Sequence, residues 1–467
     1  MNKEKNGIYD ATKLGFPKML ILGLQHMFAM FGATILVPIL VSGYFKDACG
    51  EGLTAGVTVA TTLFCAGVGT LMFHVCSKMK VPAFLGSSFA FLGGFSTVAS
   101  LNTGIYEGMN ANDKVAYACG GIVIAGVLYL VLAAVIKIIG VKRVMKFLPP
   151  VVTGPIIICI GLSLAGSAIN NASTNWLLAF IALAVIIVFN IWGKGMFRII
   201  PILMGVLVAY VVALILNACG ITNPDGSAIF AFEAVKEAAW VGLPKFQLAK
   251  FDITAILVMA PIAIASMMEH IGDMSAISAT VGKNFIEEPG LHRTLLGDGL
   301  ATAFAGLIGG PANTTYGENT GVLELSKVYD PKVIRIAAIF ALILSFIPKF
   351  SGVISTMPAS IIGGVSFMLY GMISAIGVRN IVENKVDLTK SRNLIIAAVI
   401  FVCGLGFSSG LTFNVGSASI TLTGLAIAAI AGIVLNAILP GNDYEFGKNP
   451  EGDQSRGVFL KGKSQED

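Results

Sequence analysis

Long apolar runs separated by short polar loops fill this chain from about residue 19 to residue 439. A helix needs about 20 apolar residues to cross a bilayer. By that measure the hydropathy pattern predicts spans near 19–42, 53–76, 82–100, 115–140, 148–168, 176–193 and 197–219. A polar loop, 221–250, follows. Beyond it the pattern predicts spans near 252–280, 292–309, 312–327, 332–349, 352–377, 393–409 and 418–439. The expected fold is an all-α integral membrane protein of 14 transmembrane spans, seven on each side of the longest internal loop. Seven is odd, so the second half must run inverted through the membrane relative to the first.

Two of these spans are poor helices. The stretches "VPAFLGSSFAFLGG" (81–94) and "GPANTTYGENTGV" (310–322) each begin at a proline and run into small polar residues and glycine. Each is the third span of its half. Interrupted segments at matching places in two halves point to a transporter's midplane binding site. Irregular backbone at that depth is tolerated only where it is buried in protein or lines a cavity.

Composition agrees with the pattern. Charged residues make up 12% of the chain and the mean hydropathy is +0.83, against about 25% charged in soluble domains. The 54 glycines suit closely packed membrane helices. Charge placement then orients the chain. The predicted outer segments hold only Lys46, Lys114, Lys236, Lys245, Lys250 and Lys349 of the 31 Lys and Arg. By the positive-inside rule both termini are expected in the cytoplasm of a bacterial inner-membrane protein. Residues 1–18 read as a cytoplasmic tail rather than a cleaved leader, and the mixed-charge 441–467 as a disordered cytoplasmic tail. The seven cysteines are scattered without metal-ligand spacing and read as packing residues. No metal or cofactor is expected, and no soluble catalytic or nucleic-acid-binding domain.

Few ionisable groups fall inside the spans, so each needs a reason. Glu269 and Asp273 in "ASMMEHIGDMSAIS" are four residues apart and share a helix face. Asp298 lies between glycines in "LLGDGLAT", and Glu318 lies in the broken tenth span. Gln25 and His26 come from the first span. His26 and His270 read as structural hydrogen-bonding groups, and His74 and His292 as solvated at cytoplasmic ends. An ionised Asp at a helix centre costs about 2.5–3.5 kcal/mol, and no Lys or Arg in the same spans neutralises these acids. Protonation avoids most of that cost, which is what proton coupling requires; a bound Na⁺ meets the same need. Acids without interior cations disfavour an anionic substrate. They suit a neutral, planar molecule rich in N–H and C=O, with Phe89 or Tyr316 packing on its ring. A pyrimidine or purine base meets these conditions; a small amide or a cation remains open.

At these residues the sequence resembles the nucleobase–ascorbate transporter family, also called the nucleobase:cation symporter-2 family, over roughly residues 14–440. The similarity lies in "LQHMFAMFGATILVPIL" (24–40), "PAFLGSSFAF" (82–91), "EHIGD" (269–273), "EPGLHRTLLGDGLAT" (288–302), "NTTYGENTGV" (313–322) and "GGVSFMLYG" (363–371). The resemblance implies two inverted seven-span repeats with short antiparallel strands in spans 3 and 10. It implies a core domain (19–140 and 251–349), a gate domain (141–220 and 350–440) and an extracellular loop (221–250), assembled as a homodimer in the bilayer. Glu269 and Glu318 would hold the base, with Phe89 and the backbone N–H groups of Phe89, Tyr316 and Gly317. Glu269, Asp273 and Asp298 would serve proton coupling, and Gln25, His26, Ser87, Ser88 and Asn319 would support the site. Glu318 matches the uracil-transporting members, whereas Asp273 and Asp298 match the xanthine and purine branch. The expected function is proton-coupled import of a neutral base, uracil first. The alternatives are a xanthine or purine symporter using H⁺ or Na⁺, an anion transporter on the same architecture, and a membrane enzyme acting on the base.

Overall fold

The computed structural model describes residues 7–230, 232–408, 410–415, 418–441 and 444. The expected C-terminal tail therefore lies almost wholly outside the described residues. In chain order the main elements are α1 (Phe16–Cys49), α2 (Val59–Cys76), β1 (Leu85–Ser87), α3 (Phe89–Ser100), α4 (Ala111–Ile139), α5 (Pro150–Ser173), α6 (Trp176–Ile191) and α7 (Pro201–Ala218). The second half runs α8 (Ile253–Val281), α9 (Leu291–Leu307), β2 (Asn313–Thr315), α10 (Gly317–Ser326), α11 (Pro331–Ser345), α12 (Ala359–Glu383), α13 (Ser391–Gly406), β3 (Leu411–Val415), β4 (Ala418–Leu422) and α14 (Gly424–Ile438). Among the described residues, seven helices (α1, α2, α4, α5, α7, α8 and α12) are long and apolar enough to cross a membrane. The protein is a multi-pass, predominantly helical membrane protein.

Local chemistry sets many of the boundaries. Thr58, Asn110, Asn175 and Thr423 cap α2, α4, α6 and α14 with side-chain oxygens. Asp330 caps α11, whose first residue is Pro331. Gly282, at φ 77°, ends α8 in the left-handed conformation that glycine adopts without strain. Glycines also set the closest helix approaches. A Cβ at Gly126 on α4 would meet Gly299 O on α9 at 2.7 Å, and one at Gly377 on α12 would meet Gly154 O on α5 at 2.7 Å. At such distances the backbones themselves are in contact.

Three features differ from the sequence expectation. Span 11 and the start of span 12 are not straight: α11 and a short helix, Pro348–Ser355, meet at 85°, and α12 begins only at Ala359. Pro348 and Pro358 start the two later helices, because proline suits a first turn and cannot continue a preceding one. The stretch expected to open span 14 at residue 418 is instead the second strand of an antiparallel pair, with Leu411 opposite Leu422 and Val415 opposite Ala418. Finally, His74 is fully buried rather than solvated, its Nε2 2.9 Å from Ala83 O.

The two broken segments meet near the middle of the molecule. β1 and β2 pair antiparallel, with Leu85 opposite Thr315, Gly86 opposite Thr314 and Ser87 opposite Asn313. Ser88 N–H donates to Ala312 O at 2.8 Å and Tyr316 N–H to Phe84 O at 3.0 Å, extending the ladder at both ends. Both strands are completely buried.

Candidate binding cavity

Each strand runs directly into a half-helix, α3 after β1 and α10 after β2. Neither half-helix has a side-chain N-cap. The first N–H groups of any helix lack intrahelical partners, and the macrodipole places partial positive charge there. Two uncapped helix N-termini therefore approach one region from opposite arms. Glu318 lies in the first turn of α10, where the dipole stabilises a carboxylate by about 0.3–1 kcal/mol.

α8 closes the third side, and together these elements enclose a cavity of about 260 Å³. Phe89, Glu269, Asp273, Tyr316, Gly317 and Glu318 all line it. Glu269 and Glu318 are half-buried because they face this space, and among the described residues Glu269 Oε2 has no hydrogen-bond partner. Asp273 is more enclosed, at 7% exposure. A Cβ placed on Gly317 would lie 3.6 Å from Asp273 Oδ1 and 3.7 Å from Ile376 on α12. Both are ordinary van der Waals separations, so α8, α10 and α12 come within side-chain contact of one another beside the carboxylates. Thr314 and Thr320 also line the cavity, and among the described residues their hydroxyls have no hydrogen-bond partner.

Phe89 packs edge-on against Tyr370 of α12, ring centroids 5.9 Å apart at 77°. A second, larger cavity of about 1100 Å³ lies beyond, lined by Tyr44, Lys46, Asp47, Ser167, Asn170 and Asn171 among others. Tyr44 Oη and Ser167 Oγ stand 3.4 Å apart at its wall. The first cavity continues the other way, to Arg379, Asn380, Glu383 and Asn384 at the end of α12. That end is the one the charge distribution assigns to the cytoplasm.

Apart from Tyr316, the remaining expected site residues sit around the cavity rather than in it. Tyr316 lines the cavity, but its N–H is spent on Phe84 O, so it is not a free donor as the sequence reading had it. Its hydroxyl donates to Ser87 O at 2.9 Å and lies 3.2 Å from Ser87 Oγ, which bolts its ring across β1. Ser87 Oγ also lies 3.0 Å from Thr34 O on α1. Asn319 ties α10 to α1, its Nδ2 donating to His26 O at 3.0 Å and lying 3.3 Å from His26 Nδ1. Gln25 is half-buried on α1 and does not reach the cavity. Ser88 is buried with an unpartnered Oγ. Asp298 is wholly buried on α9, away from the cavity, with Oδ2 2.9 Å from His270 Nδ1. Sequence reasoning passed over Thr314 and Thr320; the polar face of the broken tenth span was the available signal. Among the described residues no group of three or more His, Cys, Asp or Glu is placed to hold a metal ion.

Comparisons with known proteins follow this geometry. Residues 17–413 match the sequence profile of a family described as the Permease family. A uracil permease from Bacillus caldolyticus is 40% identical over 456 residues, covering 94% of this chain and 96% of its own. A putative pyrimidine permease, RutG, from Escherichia coli K12 is 36% identical over 441 residues, covering 93% of this chain and 92% of its own. In structure, the transmembrane domain of the cyanobacterial bicarbonate transporter BicA superposes with a TM-score of 0.56 at 16% identity, covering 91% of this chain and 99% of its own. At that identity the likeness speaks for the fold alone.

Proposed function

The chain belongs to the Permease family, a family of transporters rather than enzymes, and from that premise we propose that it imports uracil together with protons by alternating access. The observation that carries this reading is the convergence in one cavity of Glu269, Asp273 and Glu318 with the uncapped N-termini of α3 and α10. Carboxylates accept from ring N–H groups, while the N–H groups of Phe89 and Gly317 donate to ring oxygens. Phe89 supplies an apolar face for the ring. The similarity to uracil and pyrimidine permeases over nine-tenths of the chain supports the choice of base.

The same reading divides the chain into a core (19–140 and 251–349) and a gate (141–220 and 350–440), arranged as two inverted seven-span repeats. The equivalent positions of the two broken segments support it, as does the close helix contact α4–α9 within one body and α5–α12 within the other. With both termini in the cytoplasm, the cavity opens inward and Phe89, Tyr370, Tyr44 and Ser167 close it from the outer vestibule. Outward opening then separates Phe89 of the core from Tyr370 of the gate. A homodimer in the inner membrane completes the proposal. Glu269 and Asp273, lining the cavity with no interior cation, are the groups placed to take up the coupled proton when base binds.

One observation favours a second reading. Asp273 lines the cavity where uracil-transporting members carry His, and so points toward xanthine or another purine, with H⁺ or Na⁺. Uptake of labelled uracil into proteoliposomes under an inward proton gradient, without Na⁺ and with or without excess xanthine, separates the two. Uphill uptake that xanthine does not compete supports the uracil–proton symporter. A requirement for Na⁺, or strong competition by xanthine, transfers the assignment to the second reading.

A further inference from the structure

Beside β2, and not among the residues that line the cavity although its neighbour Thr315 is, His270 is a fully buried imidazole on which three elements meet. It follows Glu269 in α8, and the helix turns about 100° between them, so the two side chains face different ways. His270 Nδ1 lies 2.9 Å from Thr315 Oγ1 at the end of β2, and 2.9 Å from Asp298 Oδ2 on α9. Its Nε2 lies 3.0 Å from Thr294 Oγ1, also on α9. The Phe73 ring of α2 packs against its edge, centroids 6.3 Å apart. Thr315 stands three residues before Glu318. One ring therefore connects the neighbour of the first cavity carboxylate to the strand that delivers the second.

We propose that His270 is a positioning residue: held in one tautomer by Asp298, it fixes the spacing between Glu269 on α8 and the β2–α10 junction that carries Glu318. This rests on the reading of the cavity as the base-binding site. A buried carboxylate is costly unless it is paired or protonated; among the described residues neither Asp298 oxygen makes an aligned hydrogen bond, and the close polar approach it has is that of Oδ2 to this ring. The ring proton therefore belongs on Nδ1, where it serves Asp298 and Thr315 together. Nε2 then shares with Leu291 O, 3.1 Å from Thr294 Oγ1, the single proton of the Thr294 hydroxyl. A ring fixed at both nitrogens cannot turn without losing α9 and β2 at once, so the distance from α8 to β2 is set by its width.

Amide substitutions separate the two edges of the ring. His270→Asn keeps a donor near the Nδ1 position, facing Thr315 and Asp298; His270→Gln places one near Nε2 and abandons them. Both variants of the full chain, with Thr315→Val as an isosteric variant that removes only the hydroxyl, are compared for base binding by calorimetry and for gradient-driven uptake. His270→Asn is expected to bind within about threefold of the unsubstituted protein and still to accumulate base. His270→Gln and Thr315→Val are expected to weaken binding by about tenfold, the effect of one lost hydrogen bond, with uptake at saturating base less affected. Equal weakening by Asn and Gln, or undiminished binding in Thr315→Val, overturns the proposal. So does a His270→Asn protein that binds normally but cannot accumulate base, because His270 would then carry the proton. Binding is scored with whichever of uracil or xanthine the unsubstituted protein takes; if it takes neither, the proposed function fails, while the order of the variants' thermal stabilities still reports on the clamp.

Discussion

The arms 81–94 and 310–322 are built alike. Each leaves a proline, forms three residues of strand and enters an uncapped half-helix, and the strands pair with each other. What they present differs. The first arm brings backbone and Phe89 to the cavity, keeps the Ser87 hydroxyl for bracing, and carries no ionisable group. The second brings Glu318 into the cavity and uses Asn319 to anchor itself on His26 of α1. Near-symmetric scaffolding thus carries an asymmetric division of labour: one arm offers shape and an apolar face, the other the charge. A symmetric pair of acids would have doubled the burial cost without adding a ring face.

That division predicts unequal losses. Glu318→Gln keeps size and removes charge, and is expected to lower uracil uptake about 100-fold, equivalent to ~3 kcal/mol for a charged hydrogen bond in a desolvated site. The protein should still extract as a stable species in detergent. Near-normal transport by this variant would remove the acid from the second arm's task and break the contrast. Glu269→Gln on α8 should fall as far, because both carboxylates face the same cavity.

Gly86→Val tests the scaffolding the arms share. A Cβ there would lie 2.3 Å from Tyr316 Cζ, so the ring or the strand must move. Overpacking of this kind costs about 1–3 kcal/mol, and both thermal stability in detergent and uptake should drop, the latter about tenfold. A variant as stable as the original would mean that the strand pair is looser than its register implies. Phe89→Ala acts on the first arm alone. It should raise KM for uracil about five- to tenfold through lost ring contact, with a smaller change in maximal rate. A loss as deep as that of Glu318→Gln would erase the distinction between the arms.

Much of this arrangement was legible before any coordinates. The long apolar runs mark a multi-span helical membrane protein, and the Pro and Gly positions of the two arms announce irregular backbone. Glu269 and Asp273 could be placed on one face because their spacing is helical. The rest depended on tertiary approach. Nothing local to "HVCSKMK" indicates that His74 finds Ala83 O as the chain turns back. Asp298 and His270 lie on different helices, 28 positions apart in sequence, so an acid between glycines looked as ready to face the cavity as to brace it. Residues 418–422 read as the opening of an apolar helix, and only their pairing with 411–415 decides otherwise.

Tyr316 supplies the finest test, because it stands on the second arm yet works for the first. Its hydroxyl reaches Ser87 O at 2.9 Å, and its ring lies over Gly86. Tyr316→Phe removes only the hydroxyl. The carbonyl it satisfied sits in a fully buried strand and water has no access to replace it, so the loss should cost about 1 kcal/mol of stability rather than nothing. If the ring's task is to hold the arms in register, uracil affinity should weaken by only about two- to threefold, through slight splaying of Phe89 from Glu318. If instead the hydroxyl met the base, affinity should fall about tenfold with stability unchanged. Measuring both quantities on one variant therefore decides whether the second arm contributes a brace here or a further ligand.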